Sequence, residues 1–492
     1  MLGMTMTKAE AGEAFEALQT LKCHDTAYWL FRINEASVVG NVRRGLLSTE
    51  LARTIRGALA AMESDADEGR WTRPELYITF EPELLKRTGM PASVLHVGRS
   101  SQDILATTNA AQLREGALVL ARGVYVLIEA LLKKADQYWD TLVPFYTNGV
   151  QAQPGRYSHY LYAQAQAFAR QLERLLECLE RFDFCPMGGA VLNGSVWPLD
   201  QAYSARALGF AQTGNNAFDA IHLCGNDFPL ELSQSVQALM LRVTSFIQDF
   251  MVQYAQTRPW IILQKAGSTY ISSAMPQKRN PGLINDCRRN AGIVIAESQN
   301  VLLRMHNLNE GMADARDISV NLEWMTDAYR VLDTFKGIVE GLQINKDRAL
   351  EELNSDWTCT QNIADVLVKK AGVPFRQGHH FASVMVTWAR ANTKMPSNVT
   401  YAELCEQWRL FAQKETDLAP EMPLDEDTLM AAMNPASIVE ERETIGGPQE
   451  ADMQRQKTLW GEKLPVWQKV IADRSEHIAN SVKMLQKDLN AI

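Results

Sequence analysis

Over residues 104–138 the chain carries no proline, and Leu113, Leu120, Val124, Leu127 and Leu131 recur at three- and four-residue spacing. Only Gly116 and Gly123 weaken the pattern. At about 1.5 Å of rise per residue this predicts a helix roughly 50 Å long. Comparable stretches run over 156–182, 230–258, 283–305 and 318–342, each bounded by Pro, Gly or Asn. Five long helices predict a bundle. Strand signals are few and short, the clearest around 191–197, so the fold class is all-α.

Such helices carry more apolar surface than one five-helix bundle can cover, and copies of the same chain are the simplest remedy. Punctuation divides the chain into a helical segment 1–103, the long-helix bundle 104–343 and a smaller helical segment 344–492. At 492 residues, with 46% hydrophobic and 22% charged residues, the chain has ample material for a packed core. A formal charge of -9 without a Lys/Arg cluster argues against nucleic acid as a partner. Seven scattered cysteines form no CxxC pair, which suits a reducing compartment. No basic patch with a long apolar run opens the chain, and no apolar stretch reaches membrane-spanning length. The expectation is therefore a cytoplasmic protein without a membrane partner. No clustered metal-ligand set and no Gly-rich phosphate cradle appears, so no cofactor is expected.

Three polar stretches interrupt the helices. Residues 267–281 read Gly-Ser-Thr-Tyr-Ile-Ser-Ser-Ala-Met-Pro-Gln-Lys-Arg-Asn-Pro, a loop with Ser, Lys and Asn side chains, a glycine hinge and two stiffening prolines. Such a loop can close over a ligand and exclude water, although polar connections are common in any case. Residues 96–103 read His-Val-Gly-Arg-Ser-Ser-Gln-Asp and open the longest helix, where unpaired N–H groups and the helix dipole favour a carboxylate. Plain N-capping by Ser100 or Ser101 is the simpler use of the same residues. The third stretch, 146–154, reads Tyr-Thr-Asn-Gly-Val-Gln-Ala-Gln-Pro.

The spelling Ser272-Ser273-x-Met275-Pro276-x-Lys278-x-Asn280-Pro281 resembles the signature of the fumarase, aspartase and argininosuccinate lyase superfamily. The 96–103 stretch is similar to the family's His-Thr-Gly-Arg-Ser-Arg-Asn-Asp, and 146–154 to a segment that normally reads Tyr-Thr-His-x-Gln, with Asn148 in the place of the histidine. Pro186-Met187-Gly188-Gly189, Leu208-Gly209-Phe210 and Gly372-Val373-Pro374-Phe375-Arg376 extend the resemblance over nearly the whole chain.

The resemblance implies a central bundle of five long helices that forms a twenty-helix core in a homotetramer. It also implies a carbon-nitrogen lyase that eliminates fumarate from an N-substituted aspartate, with each active site assembled from three chains. Carried over residue by residue, it makes Ser272 the base. Lys278 stabilises the serine alkoxide and, with Asn280, holds the carboxylate that takes up charge. Thr147 and Asn148 fall in the catalytic segment; Arg99, Ser100, Ser101, Gln102, Gln151, Ser273 and Met275 fall in the substrate-binding set. An amide at 148 cannot titrate as the histidine would. The family also contains a cycloisomerase of carboxymuconate and silent lens proteins, and these are the alternatives to an amine-expelling lyase.

The family's Tyr-Asn-x-Asp-Leu-Gln-Glu-Asp-Lys stretch, whose Tyr, Gln and Lys contact substrate, reads Gly-Met-Ala-Asp-Ala-Arg-Asp-Ile-Ser over 311–319. Gly311, Arg316 and Ser319 replace the three contacts. Arg316 would favour a carboxylate over a guanidinium, which predicts an acidic or small polar amine half. A local pair of Arg316 with Asp314 or Asp317 is the plainer use.

Overall fold

A computed structural model describes residues 23–263, 268–312, 316–415 and 417–492. Gly267, the expected hinge, and Asp314, which anchors the comparison of 311–319 with the family stretch, lie outside the described residues.

The described residues begin with α1 (Thr26–Arg43), α2 (Thr49–Asp67) and α3 (Tyr77–Thr88), then enter the first long helix, α4 (Ser101–Gln137). A hairpin of β1 (Leu142–Thr147) and β2 (Val150–Arg156) leads to α5 (Tyr157–Phe182). After β3 (Phe184–Cys185), α6 (Gln201–Ala207) and β4 (Gln212–Thr213), one π turn, Asp219–Leu223, runs straight into α7 (Cys224–Tyr254). Three short strands, β5 (Ile261–Leu263), β6 (Tyr270–Ile271) and β7 (Arg279–Asn280), precede α8 (Gly282–Met305) and α9 (Ile318–Gly341). Strand β8 (Leu342–Ile344) pairs back on β5, and the chain continues through α10 (Lys346–Leu353), α11 (Thr360–Ala371), α12 (Phe375–Ala391), α13 (Tyr401–Ala412), α14 (Glu426–Ala431) and α15 (Pro435–Glu440) to α16 (Glu450–Asn490). The fold is all-α, with a bundle of α4, α5, α7, α8 and α9.

The bundle forms because each long helix keeps its apolar stripe in step with a neighbour. Helix α8 buries Ile284, Cys287, Ala291, Val294, Ser298 and Val301, a three-four repeat that packs on α7 and α9. The glycines that weaken the α4 pattern are points of close approach: a Cβ on Gly116 would meet Met325 Cε at 2.6 Å, and one on Gly123 would meet Leu332 and Tyr329 of α9. Outward, Leu241 on α7 and Ile293, Leu302 and Leu303 on α8 are large apolar side chains that are all more than 45% exposed. Among the described residues no helix is long and apolar enough to cross a membrane.

The described residues form two hydrophobic cores. Residues Trp29 to Ala349 build the first together with α16, while Phe381, Leu404, Trp408 and Leu429 centre the second. The stretch 344–492 contributes to both, because α16 returns along α1, α4 and α6. Gly209 marks its closest approach: the backbone sits at φ +70°, and a Cβ there would lie 2.9 Å from Ile478 Cα on α16. Gly209→Ala is therefore expected to cost about 3 kcal/mol, since main chain cannot yield as a flexible side chain can. A urea midpoint unchanged from wild type would show that α16 docks otherwise.

The strand expected at 191–197 does not form. Asp103 accepts main-chain N–H bonds from Gly188 at 3.3 Å and Ala190 at 3.2 Å, and His222 Nε2 lies 2.8 Å from the Val191 carbonyl oxygen. With side chains taking main-chain groups at its entrance, the segment folds as a loop, and Ala190 and Val191 are held at φ 45° and 76°. Positive φ at a β-branched residue is strained backbone.

Candidate active site

The start of α4 is a capping box. Ser100 Oγ accepts from Gln102 N at 3.2 Å, and Ser100 N donates to Asp103 Oδ1 at 2.7 Å. Asp103 is fully buried, and its desolvation pushes the carboxyl up against the pull of its N–H partners. Ser101 and Gln102 are half-buried beside it, with Gln102 Oε1 unpaired. Arg99 turns inward instead: its guanidinium donates to Ser37 Oγ at 2.9 Å and to Asn34 Oδ1 and Tyr77 Oη at 3.0 Å. These buried polar groups of α1 and α3 need a donor, which accounts for the direction it takes.

The β1–β2 hairpin turns on Asn148 and Gly149, at φ 53° and 77°, between paired Thr147 and Val150. Two successive left-handed residues make a type I′ turn, which asparagine and glycine adopt most easily. The asparagine that replaces the family histidine thus suits the turn's backbone, and Thr147 and Asn148 stand exposed at its tip. Gln151 donates to the Glu352 carbonyl at 3.3 Å. At the base of the hairpin, Arg156 reaches Asp140 and Glu450 at 3.0 Å and also pairs with Glu440, tying the strands to the start of α16. His159 stacks on Phe145 and lies 2.8 Å from the Gly446 oxygen, so it packs against the hairpin.

The third stretch is a small hairpin of its own. Strands β6 and β7 pair through Tyr270–Asn280 and Ile271–Arg279, and Ser272 N donates to the Lys278 carbonyl at 3.2 Å. Ser272 Oγ accepts from Met275 N at 3.2 Å, and Lys278 N donates to the Met275 carbonyl at 3.0 Å. Ser272 and Asn280 are half-buried, while Ser273, Met275 and Lys278 are exposed. The Lys278 ammonium has no hydrogen-bond or ion-pair partner among the described residues.

Within one chain these three stretches are not joined: no hydrogen bond or ion pair among the described residues connects 99–103, 147–151 and 272–280. Arg316 belongs to none of them. Only 4% exposed, its guanidinium donates to the main-chain oxygens of Ile221, Gly311 and Met312, each at 3.1 Å. Asp317 does not pair with it, but caps α9 through Ser319 and Val320. Both terminal amino groups of Arg316 thus bond carbonyls and tie the π turn to the segment before α9, while its Nε is buried without a partner; Ser319, the third replacement, donates to Asp317 at 2.7 Å.

One group the sequence reading missed is His222, in that π turn. It is 2% exposed; its Nδ1 is unpaired, and Gly311 packs over it. Burial first, and Arg316 second, lower its pKa; burial and Arg99 lower that of His96. Both imidazoles are therefore harder to protonate folded than unfolded. Stability is expected to fall as pH drops below about 6.5 toward their depressed values. Urea midpoints at pH 7.5 and 5.5 check this, and His222→Gln should shrink the difference.

Residues 62–295 match the Lyase family, and residues 358–440 match the argininosuccinate lyase C-terminal family. The chain is 30% identical over 414 residues to the argininosuccinate lyase of Pelotomaculum thermopropionicum, covering 82% of this chain and 86% of that protein. It is 28% identical over 443 residues to the argininosuccinate lyase of Desulforamulus reducens, covering 88% and 91%. In fold it is similar to the crystal structure of EDDS lyase in complex with formate, with a TM-score of 0.85 and 22% identity over 98% of this chain and 95% of that one. The chain belongs to the argininosuccinate lyase family of the fumarase and aspartase superfamily.

Proposed function

We propose that this lyase eliminates fumarate from an N-substituted aspartate, with Ser272 as the base. The observation that carries the reading is the 272–280 hairpin, in which Ser272 and Lys278 are bonded main chain to main chain at the base of one exposed loop. In this reading the Ser272 alkoxide takes the Cβ proton, and the freed electron pair moves into the adjacent carboxylate. That doubly charged group is held by Lys278, Asn280 and the N–H groups where α4 begins. The pair then returns to form the double bond while the C–N bond breaks, and its electrons leave with the amine. The amine takes its proton from water reaching the exposed turn at Asn148. A serine hydroxyl is too weak an acid to ionise alone, and an unpaired Lys278 ammonium is the group available to favour its alkoxide.

The site is completed by three chains of a homotetramer: the α4 start from one, the 147–151 turn from a second and the 272–280 loop from a third. Two features support this assembly. The stretches are unjoined within one chain, and α7 and α8 expose apolar side chains that a partner would bury. Incubation with fumarate and a panel of amines tests the activity, fumarate absorbance being expected to fall with at least one of them. Lactone formation from carboxymuconate without any fumarate chemistry would point to the cycloisomerase instead, and silence toward both would point to a structural role.

A further inference from the structure

Behind the hairpin lies a cavity of about 890 Å³ that extends to Thr147, Asn148 and Gly149. Its wall is aromatic. Tyr157 and Tyr160 stack with centroids 5.8 Å apart, Trp260 meets Tyr157 edge-on at 6.0 Å, and Phe246 meets Tyr160 edge-on at 5.5 Å. Among the described residues that line it, Asp249 is the one charged side chain, and it accepts a hydrogen bond from Tyr160 Oη at 2.6 Å. Gln253 is 3% exposed with Oε1 buried and unpaired; the Tyr157 hydroxyl and the Trp260 indole N–H are also buried without partners. A wall of π faces with one carboxylate and a spare amide oxygen is the chemistry that recognises an organic ammonium ion. An anion would meet Asp249 with no cation among those residues to offset it.

We infer that this cavity binds the amine half of the substrate, and that this half is a cation with an apolar or aromatic body. The inference rests on the lyase reading above, and it is an alternative to the acidic amine half expected from Arg316, whose two amino groups already bond carbonyls. The cavity reaches the exposed turn where that reading places the departing nitrogen, so one molecule can put its reacting nitrogen at Asn148 and its body against the aromatic wall.

The test has two arms, both on the full chain in its native assembly. Calorimetry with benzyltrimethylammonium, which cannot react, should show binding that benzoate and benzyl alcohol do not, and Asp249→Lys should weaken it by about tenfold or more. Asp249 is exposed, so its variants are expected to fold, and Tyr160→Phe supplies a second variant of the same size. In the other arm, kcat/KM for addition of benzylamine to fumarate should exceed that for glycine or aspartate, and Asp249→Asn should lower this ratio about tenfold. Equal binding of benzoate, binding untouched by Asp249→Lys, or preference for the acidic amine overturns the cavity assignment. Should no amine add to fumarate while benzyltrimethylammonium still binds through Asp249, the lyase reading falls and the cation site stands without its substrate. A cavity that binds none of the probes because a neighbouring subunit fills it overturns the inference alone.

Discussion

Replacing Ser272 by alanine is expected to lower kcat for fumarate release by about 10³-fold while leaving the helical spectrum and the melting temperature near those of the parent protein. The size of the effect follows from the role proposed for Ser272 as the base; general bases typically contribute 10²- to 10⁴-fold. The small structural effect follows from the surroundings. Ser272 Oγ accepts a single bond, from Met275 N at 3.2 Å, in a half-buried position at the edge of an otherwise exposed hairpin. Losing such a bond costs about 1 kcal/mol at most. Turnover within tenfold of the parent, with the same secondary structure, would remove Ser272 from the mechanism. Ser273→Ala separates the two hydroxyls: adjacent and exposed, it should change kcat far less.

The long helices are legible in the sequence because their stripes are long and their boundaries are marked. The 283–305 stretch corresponds to α8, and 156–182 to α5, within a residue at each end. Helix α7 departs most from its expected bounds. A start at Leu230 honours Pro229 as a breaker, yet the helix begins at Cys224 and runs through that proline, giving up one main-chain bond. The π turn ahead of it already carries the chain in a helical path, and no periodicity announces such an insertion. The candidate loop is legible through its spelling. Its partners are not, because side-chain commitments depend on residues distant in sequence: Arg99 is claimed by Asn34 and Ser37, and Arg316 by oxygens of Ile221, Gly311 and Met312. The Asn148-Gly149 pair carried a readable signal that the family comparison hid, since Asn-Gly flanked by alternating apolar residues, as in Val150, Ala152 and Pro154, is the strongest local mark of a tight hairpin.

If the active site is shared between chains, two inactive variants should repair one another. Thr147→Ala removes a hydroxyl at the exposed hairpin tip, and Ser272→Ala removes the base, so each homotetramer alone is expected to be nearly silent. In a mixed population assembled at equal amounts, a site is intact when its loop comes from a Thr147→Ala chain and its hairpin from a Ser272→Ala chain. Random assembly makes that combination about one site in four, so roughly a quarter of the parent activity should return after the two proteins are unfolded and refolded together. Were both residues drawn from the same chain, every site in every mixture would carry at least one lesion, and no activity would return. Mixing without unfolding is the control, and it is expected to recover less activity than refolding together. Sedimentation of the parent protein supplies the independent check: an active species at the 55.2 kDa of a single chain would end the shared-site assembly, because a lone chain leaves its three stretches unjoined.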